Sequence, residues 1–193
     1  MVKTKDFLEI MWRGRAGQGA KSAAQILAEV AMLSGKYSQA FPEYGAERSG
    51  APMRAFNRIS DQPIKIHSGI ENPDIVVVID DTLITSMNVV EGLKEDGILI
   101  VNTQKSIDEI RKRTGFGGKI CIIPATKIAL EEIKRGIPNT VMLGALVKVT
   151  EVVPLDSIVE QFKEMFSNKL TPEMLEGNLR AIKRGYEEVS CSG

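Results

Sequence analysis

Three segments of this chain, PDIVVVID (73–80), DGILIVN (96–102) and GKICIIPA (118–125), are almost continuous runs of apolar, mostly β-branched residues. A strand with one face in water alternates apolar and polar positions, whereas a strand covered on both faces does not need to. Runs of this length, separated by the helix candidates TSMNVVEGLKE and SIDEIRKR, therefore predict neighbouring strands of a parallel sheet with helices on both sides. The opening repeats the unit: FLEIMWRG reads as a strand, and GQGAKSAAQILAEVAMLSG as a helix with Ala20, Ala23, Ala24, Leu27, Val30 and Ala31 at helical spacing. Gly35 follows where a left-handed cap belongs.

Two regions depart from simple alternation. MRAFNRIS and IKIHS, separated by DQP, predict a β-hairpin, with Pro63 confining its second strand to an edge or a bulge. The last third is helical: TKIALEEIKRG, NTVMLGALVKVTEVV, LDSIVEQFKEMFSNK and TPEMLEGNLRAIKRGYEEV, where Thr171 and Pro172 make a cap and a first turn. The expected fold class is α/β: a single Rossmann-like, doubly wound, mostly parallel sheet with an added β-hairpin and a helical C-terminal region. At 193 residues, one domain over 1–193 is expected.

Lys plus Arg and Asp plus Glu both number 25, so no global cationic field draws the chain to nucleic acid or to an anionic membrane. IVVVI is far too short to span a bilayer, and the first residues show no signal-peptide pattern, so a cytoplasmic protein is expected. The single histidine, His67, lies in PIKIHSG, which reads as a strand end. Cys121 reads as a small buried thiol in a strand, far from Cys191, and no disulfide framework is expected. One histidine and two scattered cysteines supply neither a metal centre nor an iron–sulfur cluster.

Chemistry concentrates at GRAGQG, Gly14 to Gly19, which follows a predicted strand and opens a helix. Gly14 and Gly19 match the first and third glycines of a dinucleotide fingerprint, but Ala16 stands at the middle one, and no acid ends the second strand region to take a ribose hydroxyl. Backbone amides there, with Arg15 and Lys21 alongside, suit a phosphate or carboxylate; a tight turn with nothing bound is the competing account. Asp80 and Asp81 sit at the carboxyl edge of a buried strand. Capping the next helix is the commoner use of such a pair, and metal binding the rarer one. The glycines of TGFGGK end a helix.

FPEYGAERSGAP (41–52) combines two prolines, two glycines, two rings and an arginine. Rigid backbone with low-entropy aromatic surface is the make-up of an interface anchor, and Phe41, Tyr44, Glu47 and Arg48 are its candidate contacts. Taken in order, GRAGQGAKSAAQILAEVA, FPEYGAERSGAPMRAFNRIS, PDIVVVIDDTL and ATKIALEEIKRGIPNTVMLGALVK resemble the gamma subunits of pyruvate:ferredoxin oxidoreductases over nearly the whole chain. The family usually has Gly-Gly-Gln-Gly in the first loop, where this sequence has Ala16-Gly17-Gln18-Gly19. The resemblance implies oxidative decarboxylation of a 2-oxoacid to an acyl-CoA with electrons passed to ferredoxin. It implies alpha, beta and delta partner subunits, with thiamine diphosphate, magnesium and iron–sulfur clusters held by other subunits. It leaves this chain a packing role and, at Gly14, Arg15, Gly17, Gln18 and Gly19, a candidate loop for coenzyme A. Pyruvate is the expected substrate and 2-ketoisovalerate the alternative; a stand-alone nucleotide-binding oxidoreductase and a purely structural subunit are the rivals from other classes.

Overall fold

The computed structural model describes residues 7–43 and 50–193. Their elements run β1 (Phe7–Arg15), α1 (Ala20–Leu33), β2 (Tyr37–Glu43), β3 (Pro52–Ser60), β4 (Ile75–Val78), α2 (Leu83–Ser86), β5 (Ile98–Asn102), α3 (Ile107–Thr114), β6 (Lys119–Ile123), α4 (Ala125–Glu132), α5 (Asn139–Thr150), α6 (Leu155–Phe166), α7 (Pro172–Glu188) and β7 (Ser190–Cys191). The strands form one sheet in the order β2-β3-β1-β4-β5-β6-β7. β1, β4, β5 and β6 are parallel, while β3 pairs antiparallel with both β1 and β2, and β7 antiparallel with β6.

The three apolar runs are β4, β5 and β6, each fully sandwiched. Val77, Ile100 and Cys121 face one core with Ile10, Trp12 and the apolar sides of α1, α4, α5, α6 and α7. Val76, Val78, Leu99, Val101 and Ile120 face a second, smaller core with Met11, Phe56, Leu83, Val89, Ile110 and Phe116. α5 is the most enclosed helix, buried from Thr140 through Val147. It meets α7 backbone to backbone: a Cβ on Gly144 would lie 2.0 Å from the Ile182 carbonyl, and one on Gly185 2.0 Å from that of Val141. Glycine permits that approach, and any side chain there would force the helices apart.

Three expectations need correcting. The hairpin is β2–β3, spanning the FPEYGAERSGAP stretch, and IKIHS forms no strand, so the exposed His67 is not at a strand end. Its neighbours explain this: Gln39 on β2 and Arg58 on β3 donate to the carbonyls of Ile66 and Ser68, so backbone groups that a ladder would use are taken by side chains. Of the helix expected over TSMNVVEGLKE only Thr85 and Ser86 are helical, as the end of α2, and from Asn88 the chain runs in turns. Finally, Cys121 and Cys191 are bonded to one another, as register partners of β6 and β7 across 70 residues, where a free thiol and no disulfide were expected. The Thr171 cap, accepting from the Met174 amide, and the left-handed Gly115 after α3 are as expected.

The antiparallel side carries a pattern of its own. On the face of the second core, three cross-strand rows follow one another across β2, β3 and β1: Gln39–Arg58–Glu9, Phe41–Phe56–Met11 and Glu43–Arg54–Arg13. The middle row is apolar, with the rings of Phe41 and Phe56 stacked at 5.3 Å. The outer rows are charged, buried or half-buried except at the exposed Glu43, and they are satisfied very differently.

Candidate functional site

β1 and β4 are neighbours, but the chain leaves β1 toward β2 on one side and leaves β4 toward β5 on the other. Their carboxyl ends therefore face the crevice in which open α/β sheets bind ligands. The glycine segment lies there. β1 runs through Arg15, so Gly14 and Arg15 belong to the strand and Gly14 is buried; the turn itself is Ala16 to Gly19, closed by the Gln18 amide donating to the Arg15 carbonyl at 3.1 Å. The Ala16 amide donates to the Ala51 carbonyl at 3.0 Å, which ties the turn to the chain just before β3.

Asp80, at the end of β4, organises this crevice. Its Oδ2 accepts from Arg15 Nε at 3.1 Å and from Gln18 Nε2 at 2.7 Å, and its Oδ1 accepts from the Thr82 amide and hydroxyl. Gln18 returns its own Oε1 to the Arg15 amide at 2.7 Å. Burial alone would raise the Asp80 pKa, but the Thr82 hydroxyl, the Gln18 amide and the Thr82 backbone N–H, with the Arg15 charge, outweigh it and hold the carboxyl below its usual range. The N-cap of α2 is Thr82, without a side-chain cap, where an aspartate was expected; Asp80 instead holds Thr82 and locks the glycine turn from the side, a link sequence reasoning missed. The adjacent Asp81 accepts from Lys105 Nζ and from the Thr103 hydroxyl.

This network changes what the turn offers. The Arg15 guanidinium bonds through all three nitrogens, to Asp80, the Gly50 carbonyl and the Thr82 hydroxyl, so Arg15 braces the turn and still keeps one N–H on each Nη beyond these bonds. Gly19 caps α1 with φ 84° and sits against Asn139 at the start of α5, where an added Cβ would lie 2.5 Å from Asn139 Nδ2. Gly17, at φ 97°, has nothing within 4 Å of the position a Cβ would take. The two glycines are needed for different reasons: Gly19 for close packing on α5, Gly17 for left-handed backbone beside open space. Their amides have no partner among the described residues and lie at the N-terminal end of α1, where backbone N–H groups can meet an anion with Arg15 alongside.

Of the candidate interface residues, Phe41 is half-buried on Phe56 in β2, while Tyr44, Glu47 and Arg48 lie outside the described residues. Among the described residues no group of three His, Cys, Asp or Glu side chains is placed to hold a metal ion. With both cysteines bonded to each other, the chain's thiols do not suit an iron–sulfur cluster, and among the described residues no acidic set suits the magnesium of a diphosphate. No helix of the described residues is long and apolar enough to cross a membrane.

Residues 9–188 match the family model described as pyruvate ferredoxin/flavodoxin oxidoreductase. The chain is 63% identical over 192 residues, the full length of both, to pyruvate synthase subunit PorC of Thermotoga maritima. It is 48% identical over 183 residues, covering 94% of this chain and 97% of the relative, to the pyruvate/ketoisovalerate oxidoreductases common subunit gamma of Pyrococcus furiosus. The crystal structure of the Thermotoga maritima pyruvate oxidoreductase subunit superposes with a TM-score of 0.88 at 60% identity, over 98% of this chain and 100% of that one.

Proposed function

Because the chain belongs to the pyruvate ferredoxin/flavodoxin oxidoreductase family, we propose that it is the gamma-type subunit of a pyruvate:ferredoxin oxidoreductase, working as one domain over residues 1–193. The observation that carries this reading is the full-length identity of 63% with a pyruvate synthase subunit. In this reading, alpha, beta and delta subunits bring the thiamine diphosphate, magnesium and iron–sulfur clusters and pass electrons to ferredoxin in the cytoplasm. This chain packs on them through the Phe41, Tyr44, Glu47 and Arg48 stretch and offers the Gly17 and Gly19 amides to a phosphate of coenzyme A. The open space beside Gly17 supports that use of the loop, and Arg15, braced on Asp80, has N–H groups left to join the contact.

The test is reconstitution. Pyruvate- and coenzyme A-dependent reduction of a viologen dye is expected only when the other subunits are added, and turnover by the lone chain would refute the assignment. Gly17→Val is the cleaner probe of the loop, since Gly19→Val would also disturb Asn139; it is expected to raise the KM for coenzyme A with kcat little changed. An unchanged KM in a folded variant assigns the loop to structure alone. A second reading, use of one gamma chain by both pyruvate and 2-ketoisovalerate enzymes, is favoured by the name of the Pyrococcus furiosus relative. It predicts that the ratio of the two activities follows the catalytic subunits and not this chain.

A further inference from the structure

Arg13 is 4% exposed and poorly served: Nη2 donates to the Glu91 carbonyl at 3.3 Å, Nη1 reaches Met87 Sδ at 3.8 Å, and Nε has no partner among the described residues. It forms no ion pair within them. Its cross-strand partner is Arg54, on the same face, and like charges directly opposite are destabilising. Glu43 meets Arg54 at 2.6 Å and leaves Arg13 the less compensated of the two. Burial, and then the charge of Arg54, pull the Arg13 pKa down, while Glu91 and Glu43 push it up.

Both arginines line a pocket of about 300 Å³ near the carboxyl end of β1, on the sheet face opposite α1 and so away from the glycine turn; Pro52, Met53, Met87 and Asn88 complete much of its wall. The volume is that of a small-ligand site. A buried guanidinium with donors to spare is costly unless an acceptor joins it.

We propose that this pocket binds a small monocarboxylate, whose oxygens accept from the Arg13 guanidinium with the Arg54 charge beside them. The two carboxylates that also line it, Glu43 and Glu91, offset the two arginines, so the lining has no net positive charge to hold a dianion, and one negative charge suffices to pair with Arg13, the less compensated cation. The apolar wall of Pro52 and Met87 suits a short carbon chain on the carboxylate.

The full chain, labelled with ¹⁵N, is titrated with sodium acetate and separately with inorganic phosphate at constant ionic strength, following the Asn88 backbone amide. Acetate is expected to give a saturable shift and phosphate a weaker one. Arg13→Gln weakens acetate about tenfold or more, the loss of a charged hydrogen bond. Glu91→Gln, a change on an exposed side chain, tightens it severalfold. A linear, unsaturating shift overturns the proposal, as does saturation unaltered in both variants, or phosphate binding tighter than acetate. If Arg13→Gln does not fold, the direction of the Glu91→Gln effect decides.

Discussion

The outer cross-strand rows of β2, β3 and β1 make two buried arginines directly comparable. Arg58 is 1% exposed and meets Glu9, itself 3% exposed, through Nε at 2.9 Å; its Nη1 donates to Gln39 Oε1 and its Nη2 to the Ser68 carbonyl. Arg13, two rows along on the same face, has an arginine opposite it and a carbonyl and a thioether as acceptors. Strand geometry and burial are alike, so the difference lies in the partners supplied. Arg58 is a structural group: its donors pull the 66–68 segment onto the sheet and, with Gln39, take the place of strand pairing there. Arg13 is built into the fold without the acceptors that a structural role would require, which is why it points to a site.

The sharpest way to break the comparison is to delete each charge with a residue of similar bulk. Arg58→Met leaves the Glu9 carboxylate buried without its cation and is expected to cost about 3–5 kcal/mol of unfolding free energy. Arg13→Met removes a cation that lacks a full set of acceptors, and is expected to be neutral or stabilising within about 1 kcal/mol. Urea denaturation of the full chain measures both, and equal losses would show that Arg13 is as structural as Arg58.

How much of this was legible follows from the range over which each cue acts. β4, β5 and β6 were visible because double-sided burial writes itself into consecutive residues, and α7 because Thr171 caps it locally; the Ser106 cap of α3 is a further local cue. The hairpin was misassigned because Pro63 and DQP look like turn chemistry, whereas the actual partner of β3 is fixed by rows such as Gln39–Arg58–Glu9, formed between residues distant in sequence. β7 has two residues, too few for any periodicity, and the bond from Cys191 to Cys121 is a pairing that cysteine spacing does not encode. At the crevice, the glycine turn was legible as a motif, but the role of Arg15 was not. Its commitment to Asp80 depends on β1 and β4 being neighbours, a fact of topology.

Asp80 offers a medium-sized test, because it too is a partly buried charge, here with a full set of donors. Asp80→Asn puts an amide against Arg15 Nε and Gln18 Nε2 and is expected to cost about 1–2 kcal/mol, discounted for the partial exposure of the pair. The pH dependence gives the sign. Since the folded carboxyl titrates below the unfolded value of about 3.9, its contribution is complete above that value and is lost as pH falls through the lower, folded one. The stability difference between wild type and variant is therefore flat through neutral pH and shrinks in acid. A difference that grows on acidification would mean that Asp80 is held protonated in the fold, and that the turn is locked in some other way.

The smallest expected effect calibrates the scale. Arg113 and Glu109 pair at 2.7 Å one turn apart on α3, closer than the buried Arg58–Glu9 pair at 2.9 Å, yet their side chains are 41% and 42% exposed. Water already solvates both charges, and salt screens what attraction remains, so Arg113→Ala is expected to cost only about 0.3–0.5 kcal/mol. Raising the salt concentration should erase that difference while leaving most of the loss in Arg58→Met, because the Arg58–Glu9 pair is removed from solvent. The two measurements separate contact distance from burial. If the exposed pair lost as much as the buried one, distance would govern, and the contrast between Arg58 and Arg13 would have to be drawn from their contacts alone. If it loses little, what makes a buried arginine matter in this sheet is the absence of water to replace a missing acceptor, the condition in which Arg13 stands.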